Sequence, residues 1–132
     1  MILRIPRVRA REKEKTMNDF EELTRQIIAV RDARSWALFH TPKNLVMALA
    51  AEAGELLDLY RWTTDEESRE IDATTRTRLA EKIADVAIFL LTLCHGTGID
   101  LRGAILTKLT VTEKRYPVDQ CRGRANKWTE YR

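Results

Sequence analysis

The chain has 132 residues, 44% of them hydrophobic and 33% charged, a balance that suits one soluble domain with its own core rather than an unfolded chain. Its net charge of +3 is uneven: residues 1–16 hold six basic side chains against two glutamates, so the remainder is negative by one and a nucleic-acid-binding domain is not implied. No apolar run approaches the roughly 18–20 residues of a membrane span, and the start lacks an apolar signal-peptide core.

Residues 1–16 read as a dispensable basic extension, and residues 17–132 as the functional domain. Met17 directly precedes a helix start, so translation that begins there would give a whole domain. Cys94 and Cys121 are too few for a disulfide framework, which points to a reducing, cytoplasmic setting. Five glycines and three prolines, grouped near proposed boundaries, favour long helices over strands.

The first helix is expected over residues 18–33. Asn18 or Asp19 caps it, and Phe20, Leu23, Ile27 and Val30 recur at helical spacing. A short packed connector follows, carrying Trp36, Phe39 and His40. Thr41 and Pro42 then open a second helix, expected to reach residue 62. Residues 63–73 are polar and read as a surface loop.

A third helix is expected from about residue 74 to 95, ended by Gly96 and Gly98. From Val86 to Cys94 only Thr92 is polar, so burial nearly all round is expected, with a partner subunit supplying part of the cover. Asp100 caps a fourth helix that runs to Arg115 and stops before Pro117. The fold class is therefore all-α, with four main helices.

Chemistry concentrates on two helices. Glu52 and Glu55 lie three apart in an otherwise apolar stretch and share one face. Two like charges in such surroundings require a positive partner. On the third helix Glu81 and Asp85 also share a face, at the mouth of the apolar run. Four carboxylates without thiol or imidazole ligands suit a hard cation, Mg²⁺ first and Mn²⁺ second. The same spacing also fits solvated surface charge, and spacing alone does not separate the two.

Six blocks in order carry a resemblance: Trp36-Ala-Leu-Phe-His40-Thr-Pro42-Lys-Asn44-Leu, Glu52-Ala-Gly-Glu55-Leu, Tyr60-Arg-Trp62, Asp85-Val-Ala-Ile-Phe-Leu, Gly98-Ile-Asp100-Leu and Lys114-Arg-Tyr116-Pro-Val118. Together they resemble the MazG-like all-α nucleotide pyrophosphohydrolases, above all the dCTP pyrophosphatase branch. The likeness covers about residues 18–131. It implies a four-helix bundle whose helices pack across a dimer interface, in a homodimer or homotetramer. It also implies Mg²⁺-dependent hydrolysis of a nucleoside triphosphate, dCTP or a modified pyrimidine deoxynucleotide, to the monophosphate and pyrophosphate. Water attacks phosphorus directly, and Glu55, with Glu52, orients or deprotonates it.

By the same resemblance, Glu52, Glu55 and Asp85 match metal ligands. Trp36, His40 and Trp62 match the base and sugar pocket, and Phe89 stands where the branch often has tyrosine. Lys108, Arg115, Tyr116 and Lys127 meet the phosphates, and Thr112 stands where the family commonly has asparagine. The departure is at position 82, where the family usually has glutamate and this chain has lysine. At 100° per residue, Glu81 lies about 40° from Asp85 and Lys82 about 60° on the other side. Either Glu81 supplies the missing oxygen, or the Lys82 ammonium takes the cation's place and leaves a nucleotide-binding protein without turnover.

Overall fold

The computed structural model describes residues 18–131, and the proposed extension at 1–16 lies outside them. All regular structure among the described residues is helical. Helix α1 spans Asp19–Asp32 and starts in a capping box: the Asn18 side chain accepts from the Glu21 amide at 2.9 Å, and Glu21 accepts from the Asn18 amide at 3.2 Å. The chain then turns through Ser35, in the left-handed region at φ 55, into a 3-10 turn over Trp36–Phe39. Asn44 ties that turn to the next helix by donating from Nδ2 to the Phe39 carbonyl at 3.0 Å.

Helix α2 spans Pro42–Asp58, with Thr41 as cap and Pro42 in the first turn, as expected. It ends four residues before Trp62, the expected end. The segment expected as a loop contains a short helix, α3, over Asp65–Arg69. Thr64 and Glu67 form its capping box, which gives this short polar turn its start.

Helix α4 spans Ala73–Thr97 and is capped by Asp72, whose carboxylate accepts from the Thr75 amide at 2.7 Å. That bond holds the Asp72 carboxyl below its usual range. Gly98 closes α4 in the left-handed region at φ 69, whereas Gly96 lies inside the helix. Helix α5 spans Leu101–Arg115, capped by Asp100, and leaves α4 at 99°. A last short helix, α6, covers Val118–Cys121, and a 3-10 turn covers Trp128–Glu130.

Helix α2 packs along α4, and α1 lies against α4. Helix α5 makes only sparse contacts with its own chain. Among the described residues, only Leu45, Leu91 and Thr92 are buried. Nearly complete burial of the α4 apolar run is therefore not met within one chain: Ala87 and Ile88 are exposed, because one chain has too few helices to cover every side of α4. Apolar side chains also stand open on α2, at Met47 and Leu57, and on α5, at Ile105, Leu106 and Leu109. No single helix among the described residues is long and apolar enough to cross a membrane.

Candidate active site

The α2–α4 seam gathers three of the four predicted carboxylates. Glu52 and Glu55 project from α2, and Asp85 projects from α4 one turn after Lys82. The three carboxylates converge on the Lys82 ammonium. Its Nζ lies 3.4 Å from Glu52 and 3.5 Å from Asp85, and it contacts Glu55 most closely. The Lys82 and Glu52 side chains are 29% and 23% exposed, so the cluster is partly withdrawn from water. Glu55, at 56%, faces solvent most.

The Lys82 ammonium is held above the ordinary lysine range, first by Glu55 and then by Glu52, against the opposing effect of desolvation. Glu81 is exposed, and it is not among the carboxylates paired with Lys82. Of the two side chains flanking the Asp85 direction, the structure turns the lysine inward. The long aliphatic stem explains how: it lies along the seam and carries the charge to all three oxygens.

One turn further along α4 lies a cavity of about 260 Å³. Its walls are Ile27, Val30 and Arg31 of α1, Trp36 and His40 of the connector, and Ile88, Phe89 and Thr92 of α4. Three predicted substrate residues, Trp36, His40 and Phe89, thus meet in one place. The volume lies below the roughly 300–1,000 Å³ of pockets for drug-sized ligands, so it suits a single ring rather than a whole nucleotide. Thr92 spends its hydroxyl on the Ile88 carbonyl at 2.7 Å. His40 lines this cavity, and its Nδ1 is buried without a hydrogen-bond partner.

A larger cavity, about 520 Å³, opens between the α1 N-terminus, the end of α4 and the start of α5. None of the predicted site residues lines it. The smaller cavity is the better candidate, because Trp36, His40 and Phe89 line it and Phe89 stands one turn of α4 beyond Asp85.

The remaining predicted residues are not brought to this cavity within one chain. Trp62 lies beyond α2, 84% exposed, with the Arg61 guanidinium 5.1 Å over its ring. Lys108 and Thr112 are exposed on α5, and the Thr112 hydroxyl donates to the Lys108 carbonyl at 3.0 Å. Arg115 and Tyr116 both meet Trp128, the residue after Lys127, at a fold-back of the C-terminal segment. Arg115 stacks on Trp128 at 4.9 Å, and the amide joining Lys127 to Trp128 donates to the Tyr116 hydroxyl at 3.2 Å.

The sequence reading missed Ile27, Val30, Arg31, Ile88 and Thr92 as cavity walls. Thr92 carried a signal as the one polar residue in an apolar run. Arg31 carried none, because its 16% exposure and its pairing with Asp32 depend on the packed structure.

The MazG-like family model matches residues 47–131, which include Glu52, Glu55, Lys82 and Asp85. The chain is 39% identical over 119 residues to dCTP pyrophosphatase 1 of Bos taurus, covering 89% of this chain and 69% of that protein. It is 38% identical to dCTP pyrophosphatase 1 of Homo sapiens, covering 89% and 68%. The crystal structure of a pyrophosphatase from Archaeoglobus fulgidus superposes with a TM-score of 0.72 at 36% identity, covering 76% of this chain and 94% of that one. With the helix order, the carboxylate seam and these likenesses in agreement, the chain belongs to the MazG-like family.

Proposed function

We propose that this chain is a nucleoside triphosphate pyrophosphohydrolase that removes dCTP or a modified pyrimidine deoxynucleotide from the nucleotide pool. It converts the triphosphate to the monophosphate and pyrophosphate with Mg²⁺, for which Mn²⁺ can substitute. The observation that carries this reading is the placement of a ring-sized cavity and a carboxylate cluster on successive turns of α4. Asp85 and Phe89 are four residues apart, or about 6 Å along the helix, close to the offset between a nucleoside and its phosphates. The relatives named dCTP pyrophosphatase 1 and the pyrophosphatase neighbour support the same chemistry.

The base enters the cavity between the flat faces of Trp36 and Phe89. His40 Nδ1 meets a polar atom on the base edge, which satisfies the nitrogen that is otherwise buried without a partner. The phosphates extend toward Glu52, Glu55 and Asp85. The family resemblance makes these three carboxylates the ligands that would hold a divalent cation; here the Lys82 ammonium stands among them, and among the described residues no group of three or more acid, histidine or cysteine side chains is arranged to hold a metal. When bound, that cation supplies charge neutralisation on the phosphate oxygens and a more acidic water.

Glu55, the most exposed of the three, orients the attacking water and takes its proton. The water oxygen bonds to phosphorus, the phosphorus–oxygen bond between the α and β phosphates breaks, and pyrophosphate leaves. Glu81, exposed and outside the cluster, leaves the ligand role to the other three.

The working unit is a homo-oligomer. Open apolar side chains on α2, α4 and α5, with the sparse contacts of α5, support a second copy covering these faces. Lys108, Thr112, Arg115, Tyr116, Lys127 and Trp62 then act on substrate held by a neighbouring copy. The free thiols of Cys94 and Cys121 fit a cytoplasmic setting.

The test is pyrophosphate release from a panel of nucleoside triphosphates with and without Mg²⁺, with Glu52→Gln as control. Mg²⁺-dependent release, greatest for pyrimidine deoxynucleotides and abolished in the variant, is expected. The position of the Lys82 ammonium among the carboxylates favours a second reading, nucleotide binding without turnover. Tight binding with no release would select it.

A further inference from the structure

Trp36 is a wall of the ring-sized cavity and is still 47% exposed, so packing within the chain leaves its ring room to turn. One contact limits that freedom. The Arg34 guanidinium lies over the ring, 5.5 Å from its centroid, within the range of a cation–π interaction. Arg34 is not one of the residues that wall the cavity. The guanidinium therefore covers the indole from outside the cavity that the indole lines.

Arg34 is itself held at its tip. Helix α1 ends at Asp32, where carbonyls of the last turn run out of helical amides. The Arg34 amide would reach the Val30 carbonyl if the helix continued, but it donates to the Arg31 carbonyl at 3.1 Å. Arg34 Nη1 donates to the Val30 carbonyl instead, at 2.8 Å. Val30 is another wall of the cavity. Ser35 follows in the left-handed region at φ 55, and this reversal brings Trp36 beneath the guanidinium. A residue with a side chain keeps that conformation only where its surroundings hold it.

We propose that Arg34 is a positioning residue for the base. Anchored on the Val30 carbonyl, it sets the pose of the Trp36 ring before a pyrimidine nucleotide enters the cavity. Arg34 touches no substrate atom. It raises affinity because a ring already in place loses less freedom on binding. This inference rests on the reading of the cavity as a base pocket, and it goes further by naming what holds the aromatic wall. It involves neither the carboxylate seam nor a metal. A role confined to capping α1 has a different signature: the melting temperature would fall in a variant while the ring and its nucleotide affinity stayed as they were.

The test uses full-length protein labelled with 5-fluorotryptophan, which gives signals from three tryptophans. Trp36→Phe identifies the Trp36 signal. Fluorine NMR is recorded in EDTA while dCMP is added to the natural chain, Arg34→Met and Arg34→Gln. In the natural chain one Trp36 signal is expected, and it moves as dCMP binds. Arg34→Met should shift or broaden that signal before dCMP is added and should weaken dCMP binding about fivefold. Arg34→Gln retains an N–H donor for the Val30 carbonyl and loses the charge over the ring. It should also weaken dCMP, by at least about twofold.

A Trp36 signal and a dCMP affinity in Arg34→Met equal to those of the natural chain would overturn the proposal, leave the base pocket standing and reduce Arg34 to a helix cap. A Trp36 signal in the natural chain that does not respond to dCMP would sink the base-pocket reading, and this proposal with it. If Arg34→Met does not fold, Arg34→Gln decides: an unchanged dCMP affinity there would overturn the proposal, and a weakened one would support it.

Discussion

Glu55 of α2 and Lys82 of α4 form the closest ion pair of the carboxylate cluster, so the proposed general base and its counter-ion sit on opposite sides of one helix seam. Glu55→Gln keeps the shape of the side chain and removes its charge. Turnover should fall about 10²–10⁴-fold, the usual contribution of a positioned acid–base group. Glu81→Gln, outside the cluster, should stay within about twofold of the natural chain, as for a surface change. Steady-state pyrophosphate release measures both, and equal losses would remove the distinction between Glu55 and Glu81.

His40 gives the second prediction. Its Nδ1 is buried without a partner, and the residue lines the cavity walled by Trp36 and Phe89. His40→Leu keeps the site apolar and removes the polar atom. Discrimination among bases should fall about tenfold, the effect of losing roughly one hydrogen bond in a buried site. The ratio of kcat/KM values across the four deoxynucleoside triphosphates is the measurement. An unchanged ratio would mean that His40 does not read the base.

The two glycines near the end of α4 should respond in opposite directions. A Cβ at either meets nothing within 4 Å, so backbone conformation decides. Gly96 is helical, and Gly96→Ala should stabilise by about 0.5–1 kcal/mol. Gly98 is left-handed at φ 69, and Gly98→Ala should cost about 1–2 kcal/mol. Urea unfolding of both variants checks the signs.

Asp72 supplies the pH dependence. Its carboxyl is held down by the amide of Thr75, so the charged form is favoured in the folded state. Stability from that preference is present above the unfolded carboxyl value of about 3.9 and is lost as pH falls through the lower folded value. The melting-temperature gap between the natural chain and Asp72→Ala should be constant from about pH 8 to 5 and narrow below about pH 4. A gap that instead closes between pH 7 and 5 would point to another group.

Much of this architecture was legible because its signals are local. Asn18, Thr41 and Asp100 cap helices through their own side chains, and Pro117 stops α5 through its ring, so short sequence windows carried the information. Helix α3 was missed because its 5 residues are too short for hydrophobic periodicity, although Thr64 and Glu67 held the capping-box spacing. The expected reach of α2 to Trp62 overshot because the apolar pattern continues past Asp58, where the helix gives way to turns in which the Tyr60 and Arg61 amides both donate to the Leu57 carbonyl.

The site divides in the same way. Glu52, Glu55 and Asp85 were readable from helical spacing, and Trp36, His40 and Phe89 from the ordered blocks. The direction of Lys82 was not readable. Two neighbouring residues flank the Asp85 azimuth at similar angles, and which one turns inward depends on the packing of α2 against α4. The exposed position of Trp62 was hidden for a related reason: aromatic character alone does not reveal how much of a ring its own chain covers.

The inward lysine also has a genetic consequence. Lysine and glutamate codons differ only at their first base, so one transition at codon 82 changes the charge of the α2–α4 seam by two units. A lineage carrying this chain is one nucleotide away from a seam of four acidic side chains with no internal cation, and the reverse step is equally short.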